Sequence, residues 1–240
     1  MTRINEKLYM KSSNNNIILT IETTSEICGV SIVKDNCVLY ESNLESNNSH
    51  SVTLFNNIND ALTKCKIDMS DVSIIKVSNG PGSFTGVRIG VATAIGLSEK
   101  YNTIIQYVDT LDSLAYNAIG KNDIIISLID AKNDRVYLSL YDSKSLQKLC
   151  KDLIVNVYEL VSELNKYFRT TNIVFSLVGS GAINYKKVFN KELKIKYNIF
   201  DKLSSLKAST LANVSGENES IPNINYLIRS KAEREKYGDS

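Results

Sequence analysis

The residues best placed to do chemistry in this 240-residue chain gather between Ser78 and Gly90, in Ser-Asn-Gly-Pro-Gly-Ser-Phe-Thr-Gly-Val-Arg-Ile-Gly. Gly80, Pro81, Gly82, Ser83, Phe84, Thr85, Gly86 and Arg88 form its loop. Free backbone N–H groups at a helix start there would attract a phosphate, and Arg88 would help; the other reading of Arg88 is a surface ion pair. Ser83 invites comparison with a nucleophile, which needs a base within hydrogen-bond reach. The sequence holds one histidine, His50, on a different helix. A capping or surface role fits His50 better than ligation. Gly80-x-Gly82-x-x-x-Gly86 is one residue longer than a dinucleotide fingerprint, and no Gly-Lys-Ser/Thr follows it as in a Walker loop. Glu22 and Asp130 end two apolar runs, where carboxylates can contact a nucleotide or cap a loop; capping is the stronger reading. No set of His, Cys and carboxylates has metal-ligand spacing.

These residues need elements to position them. Val72 to Val77 reads as a strand, followed by a tight loop and a helix that begins near Ser83 to Val87, capped by Ser83 or Thr85. Gly86, Gly90 and Ala94 recur every fourth position on that helix, with Thr93 and Gly96 beside them. Each interior glycine costs about 1 kcal/mol against alanine, so the bare face implies close approach of another backbone. That neighbour is either this chain's own sheet or a partner, and the spacing alone does not separate the two.

The order of elements repeats. Ile17 to Thr23, Ile27 to Val33 and Cys37 to Ser42 read as a meander, with a hairpin turn at Lys34-Asp35-Asn36. An amphipathic helix, Ser49 to Lys66, carries Val52, Phe55, Ile58 and Leu62 at helical spacing. The strand and glycine loop follow, then a strand at Thr103 to Val108 and a helix at Leu111 to Ile119. The second half opens with strands at Asp123 to Ile129, Val136 to Tyr141 and Leu153 to Val155, and a helix at Val157 to Phe168. A strand at Ile173 to Val178 runs into Gly179-Ser-Gly181, with helices expected after it and at Ala208 to Val214. Both halves thus read β-β-β-α-β-α, a structural duplication. The fold class is α/β, two actin-like ATPase-fold (ribonuclease H-like) lobes, with boundaries expected at 16–110 and 111–221. Residues 1–15 read as a flexible extension in which Met10 offers a second start. The charged tail, 222–240, is expected to pack back on the first lobe.

Composition narrows the classes. A net charge of +2 creates no global field that would argue for nucleic acid. The four cysteines, Cys28, Cys37, Cys65 and Cys150, lack Cys-x-x-Cys spacing and read as thiols in a reducing compartment. No apolar run reaches the roughly 18 residues of a membrane span.

Residues 80–90 resemble the signature of the TsaB (YeaZ) family of tRNA threonylcarbamoyladenosine biosynthesis proteins. Ile18 to Glu26 is similar to that family's first strand, His50 to the histidine opening its first helix, and Ile129 to Tyr137 to its second-half hairpin. Tyr226-Leu-Ile-Arg229 is similar to its C-terminal Tyr-Leu-Arg motif, with Ile228 added. Glu22 departs from the aspartate of many relatives. The resemblance covers nearly all of the chain after residue 16. It implies a cytoplasmic, non-catalytic subunit in formation of N6-threonylcarbamoyladenosine at position 37 of tRNAs reading ANN codons. The implied partners are a TsaD-type paralogue and a TsaE-type ATPase, with tRNA met through the assembled complex and a homodimer when alone. ATP, ADP and metal are expected on the partners, and no cofactor is expected to bind this chain tightly. The implied interface lies on the first two helices, through Val52, Phe55, Gly86, Gly90, Thr93, Ala94 and Leu97, and Glu22 and Arg88 are candidates for weak nucleotide contact. An autonomous ATPase or glycoprotease-like peptidase is the alternative.

Overall fold

A computed structural model describes residues 16–45 and 50–218. The extension 1–15, both candidate starts, the tail 222–240 and the Tyr226–Arg229 motif lie outside the described residues. β1 (Ile17–Glu22) is buried at all six positions, as expected of a strand covered on both faces. It pairs antiparallel with β2 (Ile27–Lys34), and β2 with β3 (Cys37–Glu45). Asp35 and Asn36 turn the β2–β3 hairpin with positive φ, 49° and 64°, the backbone that a two-residue turn demands.

α1 (His50–Cys65), β4 (Ile74–Ser78), α2 (Phe84–Tyr101) and β5 (Ile104–Val108) complete the first sheet in the order β3-β2-β1-β4-β5. α3 (Thr110–Asn117), β6 (Ile124–Asp130), β7 (Arg135–Asp142), β8 (Leu153–Asn156) and α4 (Val157–Phe168) open the second half. It continues with β9 (Val174–Val178), α5 (Ser180–Asn184), α6 (Lys186–Glu192), β10 (Lys196–Ile199) and α7 (Ala208–Leu211). The second sheet reads β10-β9-β6-β7-β8, the same arrangement read from the other edge. The two lobes therefore have the actin-like architecture expected from the repeat. β10 is the strand that sequence reasoning missed: four residues of alternating exposure and intermediate burial give little apolar signal.

Each sheet is a filling between helices. Ile17, Leu19 and Ile21 of β1 face Leu54, Ile58, Val87 and Val91 of α1 and α2. The second sheet packs Ile126, Leu128, Phe175 and Leu177 against α4 and α6. The two inner faces are covered reciprocally. α3, which follows the first half, packs Leu111, Leu114 and Ala115 on the second sheet. α7, which follows the second, packs on β1, β2 and β3 of the first. Its first N–H groups donate to Asn43 Oδ1 (3.1 Å) and Glu41 Oε1 (2.8 Å) of β3. Lys76 of β4 then donates to the carbonyls of Ala212 (3.0 Å) and Val214 (2.8 Å), and Glu217 pairs with the edge of β5 at Tyr107. The expected boundary is corrected here: residues 207–217 belong with the first sheet, because Lys76 and the β3 side chains satisfy their backbone groups.

Candidate functional site

The glycine loop sits where β1, β4 and α2 meet. Ser83 caps α2, its Oγ accepting from the Gly86 N–H (3.2 Å). The Ser83 N–H donates to the Thr24 carbonyl (2.6 Å), and the Thr23 hydroxyl to the Gly86 carbonyl (2.8 Å). The loop is thereby stitched to the turn after β1. On its other side the Thr110 N–H donates to the Gly80 carbonyl (2.8 Å). Pro81 follows a cis peptide bond.

The small-residue face is occupied by this chain. A Cβ on Gly82 would collide with the Thr24 carbonyl oxygen, one on Gly86 with the Thr23 carbonyl oxygen, and one on Gly90 with the Thr23 hydroxyl. Ala94 is fully buried in the first core. The reading of Gly86, Gly90 and Ala94 as a bare surface for a partner is therefore corrected. Close approach was the right physical reason, and the approaching backbone is β1's own exit. Thr93 and Leu97 are half-buried, and the Thr93 hydroxyl donates back to the Ile89 carbonyl (2.8 Å). The exposed stripe of α2 is instead Thr85, Arg88, Ala92 and Gly96, and a Cβ on Gly96 would meet nothing within 4 Å. The Arg88 guanidinium lies 3.7 Å from the centroid of the Phe84 ring, a cation–π contact. On the neighbouring α1, Val52 is 62% and Phe55 70% exposed.

Glu22 is fully buried. One oxygen accepts from the Thr24 N–H (2.7 Å) and hydroxyl (2.5 Å), the other from the Ser78 hydroxyl. Burial pushes its carboxyl up, against the pull of these donors. The candidacy of Glu22 for nucleotide contact is corrected: it caps the turn it ends. Asp130 occupies the matching place in the second half. It accepts from the Lys132 N–H (2.8 Å), the Asn184 amide (2.8 Å) and the Tyr185 hydroxyl (3.4 Å). Partial burial would raise its carboxyl, and the donors, led by the Lys132 N–H, outweigh that and hold it low.

Sequence reasoning missed a charged knot where the two halves cross. Asp109 caps α3 through the N–H groups of Leu111 (2.7 Å) and Asp112 (3.4 Å). Lys148 reaches Asp152 (2.8 Å), Asp112 (2.9 Å) and Asp109 (3.8 Å), and the Tyr141 hydroxyl donates to Asp112 (2.7 Å). Burial, the neighbouring Asp152 carboxyl and Asp112 push Asp109 well above the ordinary carboxylate range. Burial would lower Lys148, but the three carboxylates outweigh it and hold the ammonium above its usual value. No signal in the sequence links residues 40 positions apart in this way. Among the described residues no group of three His, Cys or carboxylate side chains is arranged to hold a metal. All four cysteines are free thiols. No helix among the described residues is long and apolar enough to cross a membrane.

A family described as TsaD, tRNA N6-adenosine threonylcarbamoyltransferase, matches residues 44–234. The chain belongs to the TsaD family. Among curated relatives, the TsaB proteins of Bacillus subtilis and Escherichia coli, both named as tRNA threonylcarbamoyladenosine biosynthesis proteins, are similar. They are 34% and 33% identical over 53% and 52% of this chain. This chain spans about half of the length of each, 56% and 54%. A crystal structure from Pseudomonas aeruginosa, titled as an uncharacterized protein with similarity to peptidase YeaZ, matches with TM-score 0.69 and 21% identity, over 82% of this chain and 89% of that one. The expected resemblance to TsaB and YeaZ is thus borne out, and the P. aeruginosa structure shares the fold.

Proposed function

We propose that this TsaD-family chain is a non-catalytic scaffold in formation of N6-threonylcarbamoyladenosine at position 37 of tRNAs reading ANN codons. It docks α1 and α2 on a TsaD-type paralogue that carries the metal and nucleotide, a TsaE-type ATPase joins them, and the assembly works in the cytoplasm. The same face forms a homodimer when the partner is missing. The observation that carries the reading is the pair Val52 and Phe55, 62% and 70% exposed one turn apart on α1. α2, which packs against α1, exposes Ala92 and Gly96 as a low-relief stripe. Apolar area of that kind gains about 25 cal/mol per Å² when a partner covers it, and residues without bulk let a second helix come close.

The absence of covalent chemistry is supported by the employment of the reactive groups. Ser83 Oγ serves as a helix cap, and Glu22 is enclosed by hydroxyl and amide donors. Phe55→Glu and Gly96→Trp are each expected to abolish co-elution with a TsaD-type partner while the circular dichroism of the chain stays unchanged. Persistence of the complex in both variants would remove the docking face. ATP turnover or peptide cleavage by the isolated chain would restore the enzyme alternative.

A further inference from the structure

The net charge of +2 conceals a strong local imbalance. Residues 163–196 hold seven cations, Lys166, Arg169, Lys186, Lys187, Lys191, Lys194 and Lys196, against two acids, Glu163 and Glu192. The rest of the sequence is consequently net acidic. The fold assembles most of these cations along one margin of the second lobe, where the end of α4, the end of α6 and the outer strand β10 meet. Asn165 of α4 ties the margin together. Its amide donates to the Glu192 carbonyl (2.9 Å), and its oxygen accepts the Lys194 N–H (2.6 Å). The Lys194 ammonium reaches the Lys191 carbonyl (2.8 Å), and Lys196 reaches Asn172, just past α4 (2.9 Å). Lys187 and Lys191 lie one helical turn apart on α6.

Arg169, Lys187, Lys191, Lys194 and Lys196 are exposed. Among the described residues none of the five lies within 4 Å of a carboxylate. The acids that could neutralise them are few: Glu163 is given to Lys166 (3.4 Å), and Asp201 to Lys186 (3.0 Å). Tyr167 is 61% exposed, and the Lys166 ammonium lies over one face of its ring, 4.7 Å from the centroid, which leaves the other face for a base. Lysines held by backbone and amide oxygens, with an accessible aromatic ring among them, suit a chain of phosphates flanked by stackable bases.

We infer that this lysine margin of the second lobe binds RNA through its phosphate backbone, with Tyr167 available to an unpaired base. The choice of tRNA as that RNA rests on the proposed function; the surface does not. Backbone neutralisation is read without regard to sequence and is strongly salt-dependent, with a slope in log K against log salt of about 0.7–0.9 per phosphate contact.

The test titrates the isolated full chain into fluorescently labelled, unmodified tRNA transcript between 50 and 200 mM salt, by anisotropy. The double variant Lys191→Glu, Lys194→Glu is expected to bind at least tenfold more weakly at low salt, with a slope shallower by about two. A charge-matched control, Lys144→Glu with Lys151→Glu, removes the same net charge at the β7–β8 connection, across the sheet from β10, and is expected to bind within threefold of the parent. Equal losses in the two double variants would overturn the assignment, because the effect would then belong to net charge. So would tighter binding to phosphatidylserine vesicles than to tRNA at matched phosphate. Phe55→Glu, aimed at docking, is expected to bind tRNA like the parent, so loss of the partner complex and loss of RNA are read separately. A loss in Phe55→Glu as large as that in the lysine variant would overturn the placement of RNA on this margin.

Discussion

Glu22 shows how one side chain can look reactive in a sequence and be structural in the fold. Its carboxylate is buried, yet it accepts from Thr24 twice and from Ser78. Burial raises its pKa above that of the unfolded chain, about 4.3 for an ordinary glutamate. Between those two values the folded protein binds the proton more tightly than the unfolded one, so this group's contribution to stability falls as pH rises through the window. Glu22→Gln keeps the acceptor facing Thr24 and loses the charge. Its urea-unfolding stability is expected to vary less from pH 5 to pH 8 than the parent's, and to equal or exceed it at pH 8. Glu22→Ala leaves the Thr24 N–H and the hydroxyls without their acceptor and is expected to cost about 1–3 kcal/mol throughout.

Helix α2 carries the same lesson at the level of an element. Gly86 and Gly96 are both interior glycines, and they face opposite demands. Gly86→Ala would push a methyl group into the Thr23 carbonyl, which belongs to backbone and cannot swing aside. A loss of about 1–3 kcal/mol is expected. Gly96→Ala meets nothing, and the better helix propensity of alanine is expected to add up to about 1 kcal/mol; thermal unfolding of the two variants checks both signs. Most elements were legible because their signals are local. The Asp35-Asn36 turn, the Ser83 cap and the apolar spacing of α1 depend on neighbours within a few residues. What the small-residue face of α2 touches depends on a strand exit 60 residues earlier, and close packing asks for glycine whether the intruding backbone is intramolecular or foreign. β10 and the lysine margin were illegible for a related reason. The strand is short and half-polar, and a whole-chain charge of +2 averages a basic margin against an acidic remainder.

At the scale of the whole molecule, the knot around Lys148 fastens the crossing between the sheets. One ammonium is shared by Asp109, Asp112 and Asp152. Lys148→Ala would leave three carboxyl groups facing one another, with Asp109 already raised by burial and by its acidic neighbours. The folded state would then bind protons more tightly than the unfolded chain above about pH 4. The loss in melting temperature is therefore expected to be larger at pH 8 than at pH 5, and an equal loss at both would show that the carboxylates do not repel. The exchange of α3 and α7 between the sheets reaches further back in time. Among the described residues each half lends its last helix to the other, so a single half on its own would have lacked a cover for its inner face. An ancestor made of one such unit would have needed a twin from which to borrow that helix. A gene duplication would then have joined two molecules that already depended on each other.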